Sequence, residues 1–155
     1  MANTIGWGEI YCSSYWGDES NKLSVPEFPE NCGLIIENCG TTITHNTGVT
    51  FPERYVFQLA ATGQSTLTYE AYGIPDKWIV IQDGVVVLDT GYRGNLSEQA
   101  DLNAALASRG LPPETIQGAA AGTASFTVST LSPIYVYVYA PMELTAFQTT
   151  IQCLP

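Results

Sequence analysis

A chain of 155 residues with charged side chains at only 13% of its positions can bury a core of its own, and it reads most simply as one domain. Its net charge of −10, from 15 acidic against 5 basic residues, repels phosphate backbones, so nucleic acid is not expected as a partner and a cation or a basic protein surface is. No apolar run approaches the roughly 20 residues needed to cross a bilayer, and the start, MANTIGWGEIY, has neither the basic head nor the apolar centre of a secretion signal, so neither membrane insertion nor Sec export is expected.

Residues 1–30 differ from the rest. The segment NTIGWGEIYCSSYWG is rich in Gly and aromatics, and a polar stretch broken by proline comes after it. Apart from a short strand at Ile5–Cys12 it reads as an extended arm. Such an arm cannot bury Ile5, Trp7, Tyr11, Tyr15 and Trp16 by itself. They pack on the domain's own surface or dock onto a neighbouring subunit. Residues 31–155 then read as an all-β domain, with 14 Gly and 9 Pro punctuating runs of Val, Ile, Thr and Tyr. Short strands are expected at Leu34–Glu37 and Thr41–His45, with Phe51-Pro52 ending that unit. Arg54–Ala60 and Ser65–Tyr72 come next, and their alternation aligns Tyr55, Phe57 and Leu59, then Leu67, Tyr69 and Ala71.

The clearest element is a hairpin. Trp78–Ile81 and Val85–Leu88 flank Asp83-Gly84, a pair suited to a two-residue turn with positive φ. Counted outward from Gln82 opposite Val85, Trp78 falls opposite Asp89 and Asp76 opposite Gly91. Lys77, Ile79, Ile81, Val86, Leu88 and Thr90 then share one mostly aliphatic face. Asp76, Trp78, Val80, Gln82, Val85, Val87 and Asp89 share the other. Two carboxylates, Asp76 and Asp89, converge at the end away from the turn, where unpaired like charges are destabilising. Calcium, held by both carboxylates and nearby carbonyls, is one way to offset them. Backbone amides in the flanking turns, or Arg93 or Lys77, are another. A paired-carboxylate hydrolase is a third, although no long loop or acidic cleft surrounds the pair.

Residues 95–110, NLSEQADLNAALASRG, carry the one helical signal. Asn95 and Glu98 have capping-box spacing, Leu102, Ala105, Leu106 and Arg109 fall at helical intervals, and Gly110 is a natural terminator. The GAAAG at 118–122 is a link, not a phosphate loop. Strands at Thr123–Ser129, Ile134–Ala140 and Thr145–Gln152 close the domain, for roughly eight to ten strands in all, the pattern of a jelly-roll-like antiparallel sandwich. In the middle one Ile134, Val136 and Val138 point one way and Tyr135, Tyr137 and Tyr139 the other. The tyrosine row is covered by the arm or helix, forms a subunit interface, or serves as a platform for stacking sugars.

Of the four cysteines, Cys12, Cys32, Cys39 and Cys153, any of three pairings is open, and so are reduced thiols in a cytosol. Cys153 is placed to tie the last strand to an early one. Zinc is not expected, since there is no C-x-x-C and His45 is the sole histidine. No G-x-S-x-G is present, and a lone Asp89-Thr90-Gly91 lacks the second carboxylate an aspartic protease requires. The sequon at Asn95 reads as a helix cap.

The stretch YGIPDKWIVIQDGVVVLDTGYRG resembles the "IPD-[RK]-[FW]…DTG" hairpin of β-sandwich modules found in secreted bacterial proteins and phage virion proteins. LNAALASRGLPPETI, IYVYVYAPMELTAF and the terminal QCLP are similar to the phage-associated form, as MANTIGWGEIYC is to openings of small tailed-phage structural proteins. The resemblance implies a non-enzymatic virion protein: a capsid decoration, head fibre or tail component. Such a protein is made in the host cytoplasm, works as a homo-oligomer and contacts other capsid or tail proteins. The alternative it leaves open is a carbohydrate-binding adhesion module for a host-surface glycan, stacking sugars on Trp78 or the tyrosine row with calcium near Asp76.

Overall fold

The computed structural model describes residues 36–46 and 48–153. The chain divides into two compact units, Met1–Ile36 and Glu37–Pro155, and the described residues, Ile36 apart, belong to the second. The arm residues Ile5, Trp7, Tyr11, Tyr15 and Trp16, together with Cys12 and Cys32, lie outside the described residues.

The period-two runs fold as strands. They are β1 (Ile36–Asn38), β2 (Thr42–His45), β3 (Thr50–Gln58), β4 (Gly63–Glu70), β5 (Asp76–Gln82), β6 (Val85–Arg93), β7 (Ala121–Val128), β8 (Ile134–Ala140) and β9 (Phe147–Cys153). They form a five-stranded sheet ordered β1-β3-β8-β5-β6 and a four-stranded sheet ordered β2-β9-β4-β7. The registers of both sheets are antiparallel. The inner faces meet across one core, so the chain forms the all-β antiparallel sandwich its composition suggests. Among these strands only β5 and β6 are neighbours both in sequence and in a sheet.

The inward rows are those the alternation marks. Phe57 and Leu59, Leu67, Tyr69 and Ala71, and Ile134, Val136 and Val138 are all buried and join one cluster with Trp78, Val80, Phe126, Phe147 and Ile151. Burying each large apolar side chain contributes about 1.5–3 kcal/mol. Phe51-Pro52 does not end a unit as expected. It lies inside β3, where the register with β8 shifts between Thr50 and Glu53, and an irregular ladder is where a sheet tolerates a residue without an N–H.

The helical signal gives a 3-10 turn, Leu96–Glu98, and then α1 (Gln99–Ala107). Asn95 caps it, its Oδ1 accepting from the Ser97 N–H at 3.0 Å. The bond goes to Ser97 rather than Glu98 because the first turn is wound tighter than an α-helix. Leu102 and Leu106, four apart, are buried on one face. Gly110, at φ +72°, ends the element while Leu111 N–H donates to the Leu106 carbonyl at 3.0 Å. Arg109 is outside the apolar stripe. It is exposed, donates to the Ala105 carbonyl at 2.9 Å and lies 4.8 Å from the Phe51 ring centre. A second cluster forms here from Tyr92, Leu102, Leu106 and Ile116, with Phe51, Tyr139 and Met142 against it.

Candidate functional site

Two register breaks reshape the open end of the β5–β6 hairpin. Near the turn the pairing is as counted, with Gln82 opposite Val85 and Ile81 opposite Val86. Then Val80 faces Leu88, so Val87 is an extra residue on β6, and Ile79 rather than Trp78 faces Asp89. A second break comes at Thr90-Gly91, with Gly91 at φ +64°, and Asp76 ends opposite Arg93. Each inserted residue moves the next stretch of strand to the other face of the sheet. Asp76 and Asp89 therefore do not converge. Asp76 shares the buried face of β5 with Trp78, Val80 and Gln82, while Asp89 is exposed on the opposite side.

Asp76 is fully buried. Its Oδ1 accepts from the Thr145 hydroxyl at 2.8 Å, and its Oδ2 has no partner among the described residues. Burial pushes its carboxyl up to about 8, opposed in part by the Thr145 hydrogen bond. Desolvation wins because one neutral hydroxyl cannot replace the water shell of an anion. Burial thus favours the protonated form of this acid. Asp89 is spent locally, its Oδ1 accepting from the Gly91 N–H at 2.9 Å and fixing the bulge.

Neither expected cation neutralises the pair. Lys77 Nζ binds both Glu114 oxygens, at 2.9 and 3.1 Å, and lies 4.9 Å from the Tyr92 ring centre. Arg93 Nε donates to the Thr90 carbonyl at 2.8 Å. A calcium shell draws on several oxygens, usually with more than one carboxylate. Around Asp76 there is one carboxylate, sealed in, and among the described residues no three His, Cys, Asp or Glu side chains are grouped to hold a metal. The donor set does not fit calcium, and two carboxylates on opposite faces of a sheet cannot act on one glycosidic bond.

Trp78 is also unavailable for stacking on a sugar, because it is fully buried with its ring 5.1 Å from Tyr69 and 6.2 Å from Phe147. The tyrosine row divides. Tyr139 is edge-on to Phe51 at 5.1 Å and belongs to the cluster beneath α1. Tyr135 and Tyr137 continue along the outer face of the five-stranded sheet, half-buried, opposite Ile81 and Ile79 of β5 on one side and Val56 and Arg54 of β3 on the other. The Arg54 guanidinium lies 5.6 Å from the Tyr135 ring centre.

His45 stacks on Phe147 at 4.8 Å, with Nδ1 3.4 Å from Glu53 Oε2 and Nε2 3.1 Å from the Gly48 carbonyl. Cys39, in the turn after β1, and Cys153, at the end of β9, are disulfide-bonded across 114 residues of sequence.

One surface feature leaves no signal in the sequence. Ala71, Tyr72, Ile74, Asn95, Glu98 and Leu144 line a cleft of about 250 Å³ at the helix end of the sandwich. Tyr72 and Leu144, at φ +57° and +61°, are 59% and 79% exposed. Left-handed backbone at a residue of this kind cannot be anticipated, since Asn or Gly is what usually marks it.

No protein-family model matches the chain, and no curated protein does. Among solved structures it is similar to the pre-peptidase C-terminal domain of collagenase from Bacillus anthracis, with 14% identity and a TM-score of 0.49 over 77% of this chain and 96% of that one.

Proposed function

We propose that the chain is a non-enzymatic structural protein of a tailed-phage particle, a capsid decoration, head fibre or tail component. Its aromatic N-terminal segment anchors it, and its sandwich presents a binding face to neighbouring proteins. The sequence resemblance of the hairpin and of the opening residues supports the particle. The observation that carries the binding role is the outer face of the five-stranded sheet. There Tyr137 stands half-buried beside Ile79, an aromatic next to an aliphatic side chain of the kind enriched where proteins meet. The strand beneath is anchored in the core, because its other side carries the fully buried Val136 and Val138. The carboxylates that would serve a hydrolase are a buried acid and a turn cap, which favours binding over chemistry. Synthesis in a host cytoplasm and release by lysis go with this reading.

Particles assembled with a chain lacking residues 1–16 test it. The truncated protein is expected to fold and to be missing from purified particles, and Tyr137→Ala is expected to lower occupancy without changing the fold. Full occupancy by the truncated chain would remove the anchoring role. Full occupancy by the Tyr137 variant would remove the face.

A further inference from the structure

Two open sheets have four edges, here β1 and β6 in one and β2 and β7 in the other. An edge offers a row of unpaired N–H and C=O groups to any strand that approaches, and folded proteins blunt such edges with short strands, bulges, charges or proline. Two of the four are blunted. β1 is described over three residues only, and β2 has just four. β6 is bent by two register breaks and carries Asp89 and Arg93. β7 has none of these devices. Its eight residues pair with β4 in unbroken register from Ala121–Glu70 to Val128–Gly63, and its sequence, AGTASFTV, holds no charge and no proline. Among the described residues no strand is hydrogen-bonded to its other side, although β6 of the facing sheet comes close to it.

The surface beside this edge is equally unusual for so acidic a chain. Thr42, Thr150, Thr68 and Thr123 stand directly opposite one another, a row of threonine running across all four strands. The hydroxyls of Thr42 and Thr150 are 2.7 Å apart and those of Thr68 and Thr123 3.2 Å. Gln152, Thr66 and Ser125 form the next row, and Gln64 pairs with Thr127 beyond it. In the four strands of this sheet the only acidic residue is Glu70, and there is no Lys or Arg. Copies that each carry −10 repel one another. This sheet is where they meet with the least opposition.

We infer that β7 is the edge at which two copies of this chain pair, antiparallel about a twofold axis, merging their four-stranded sheets into one of twice the width. A twofold makes the contact self-complementary. Because side chains alternate with period two, a register that keeps the faces aligned sets Thr123, Ser125 and Thr127 of one copy against the same set of the other, and no like charges oppose. The hydroxyl and amide rows then continue unbroken from one copy to the next. The pairing is independent of the particle role and of the N-terminal segment.

Sedimentation equilibrium of the full chain over a wide concentration range, with hydrogen exchange at its two extremes, tests this. The expected result is a monomer–dimer equilibrium in which alternate amides of Ala121–Val128 gain protection only at the high concentration. Thr123→Glu with Ser125→Glu sets like charges across the twofold and is expected to abolish the dimer. Thr44→Glu, on the same face at the far edge, is expected to leave it intact. A parent chain that is monomeric throughout, with β7 amides exchanging freely, overturns the pairing. So does a dimer that survives the double substitution, or one that Thr44→Glu also abolishes, which is the mark of stacked faces rather than joined edges. If the double variant does not fold, concentration-dependent protection of β7 in the parent decides alone.

Discussion

Asp76 shows how far one residue's surroundings set its chemistry. The alternation of β5 places it with Trp78, Val80 and Gln82, a grouping visible in the sequence, yet a carboxylate in such a set invites a reading as a ligand or a nucleophile. Gln82 on the same face meets burial by donating to the Thr130 and Ser132 carbonyls at 3.0 and 2.9 Å. Asp76 meets it by keeping its proton. Its folded value of about 8 stands above the ordinary aspartate value of 3.8, so the native state binds the proton more tightly than the unfolded chain does. The stabilisation is complete below about pH 4 and is lost as pH rises to about 8, at up to about 1.4 kcal/mol per pH unit. Thermal melts of the parent are therefore expected to fall between pH 5 and pH 8. Asp76→Asn keeps the oxygen that accepts from Thr145 without an ionisable group, and is expected to flatten that dependence and to be the more stable protein at pH 8. Equal slopes for the two would show that Asp76 does not titrate in this window.

At the scale of elements, the hairpin is legible in its turn and in its paired runs, and its open end is not. A strand that gains one residue looks like any other strand in sequence. Val87 carries no sign of the first break. The second has one, since Gly91 comes directly after Asp89-Thr90 and adopts the left-handed backbone a bulge of this kind requires. Counting through the first break as regular strand puts Asp89 on the wrong face and creates a carboxylate pair that the fold does not contain. The helix is legible in its cap, its Leu102–Leu106 pair and its glycine stop, because local chemistry decides all three. Close approach is not. A Cβ on Gly94 would lie 2.7 Å from Pro75 Cα and 2.9 Å from the Gly73 carbonyl oxygen, whereas one on Gly84, at φ +78°, would meet nothing within 4 Å. Gly84→Ala is expected to cost about 1 kcal/mol from backbone strain, and Gly94→Ala more, because backbone must move to admit it. Denaturant unfolding of the two variants checks the order. Leu106→Ala, which empties the cluster under α1, is expected to cost about 2–5 kcal/mol by the same measurement.

For the molecule as a whole, fold class is readable because composition, turn spacing and alternation agree, while sheet order is not, because it depends on contacts between residues far apart in sequence. The Cys39–Cys153 bond spans 114 residues. Closing a loop of that length restricts the unfolded chain, and reduction is expected to cost about 2–5 kcal/mol, readable as a lower melting temperature in dithiothreitol. The strand order carries a further consequence, for the order of events in folding. β8 lies between β3 and β5, and β9 between β2 and β4. Each sheet is completed by a strand that comes after its neighbours in the chain, and until β8 and β9 dock, the strands they join present open edges. Folding is governed by distant pairings, which places refolding on the slow side of the microsecond-to-second range of small domains, and makes the partly folded chain, rather than the finished one, the form most exposed to aggregation.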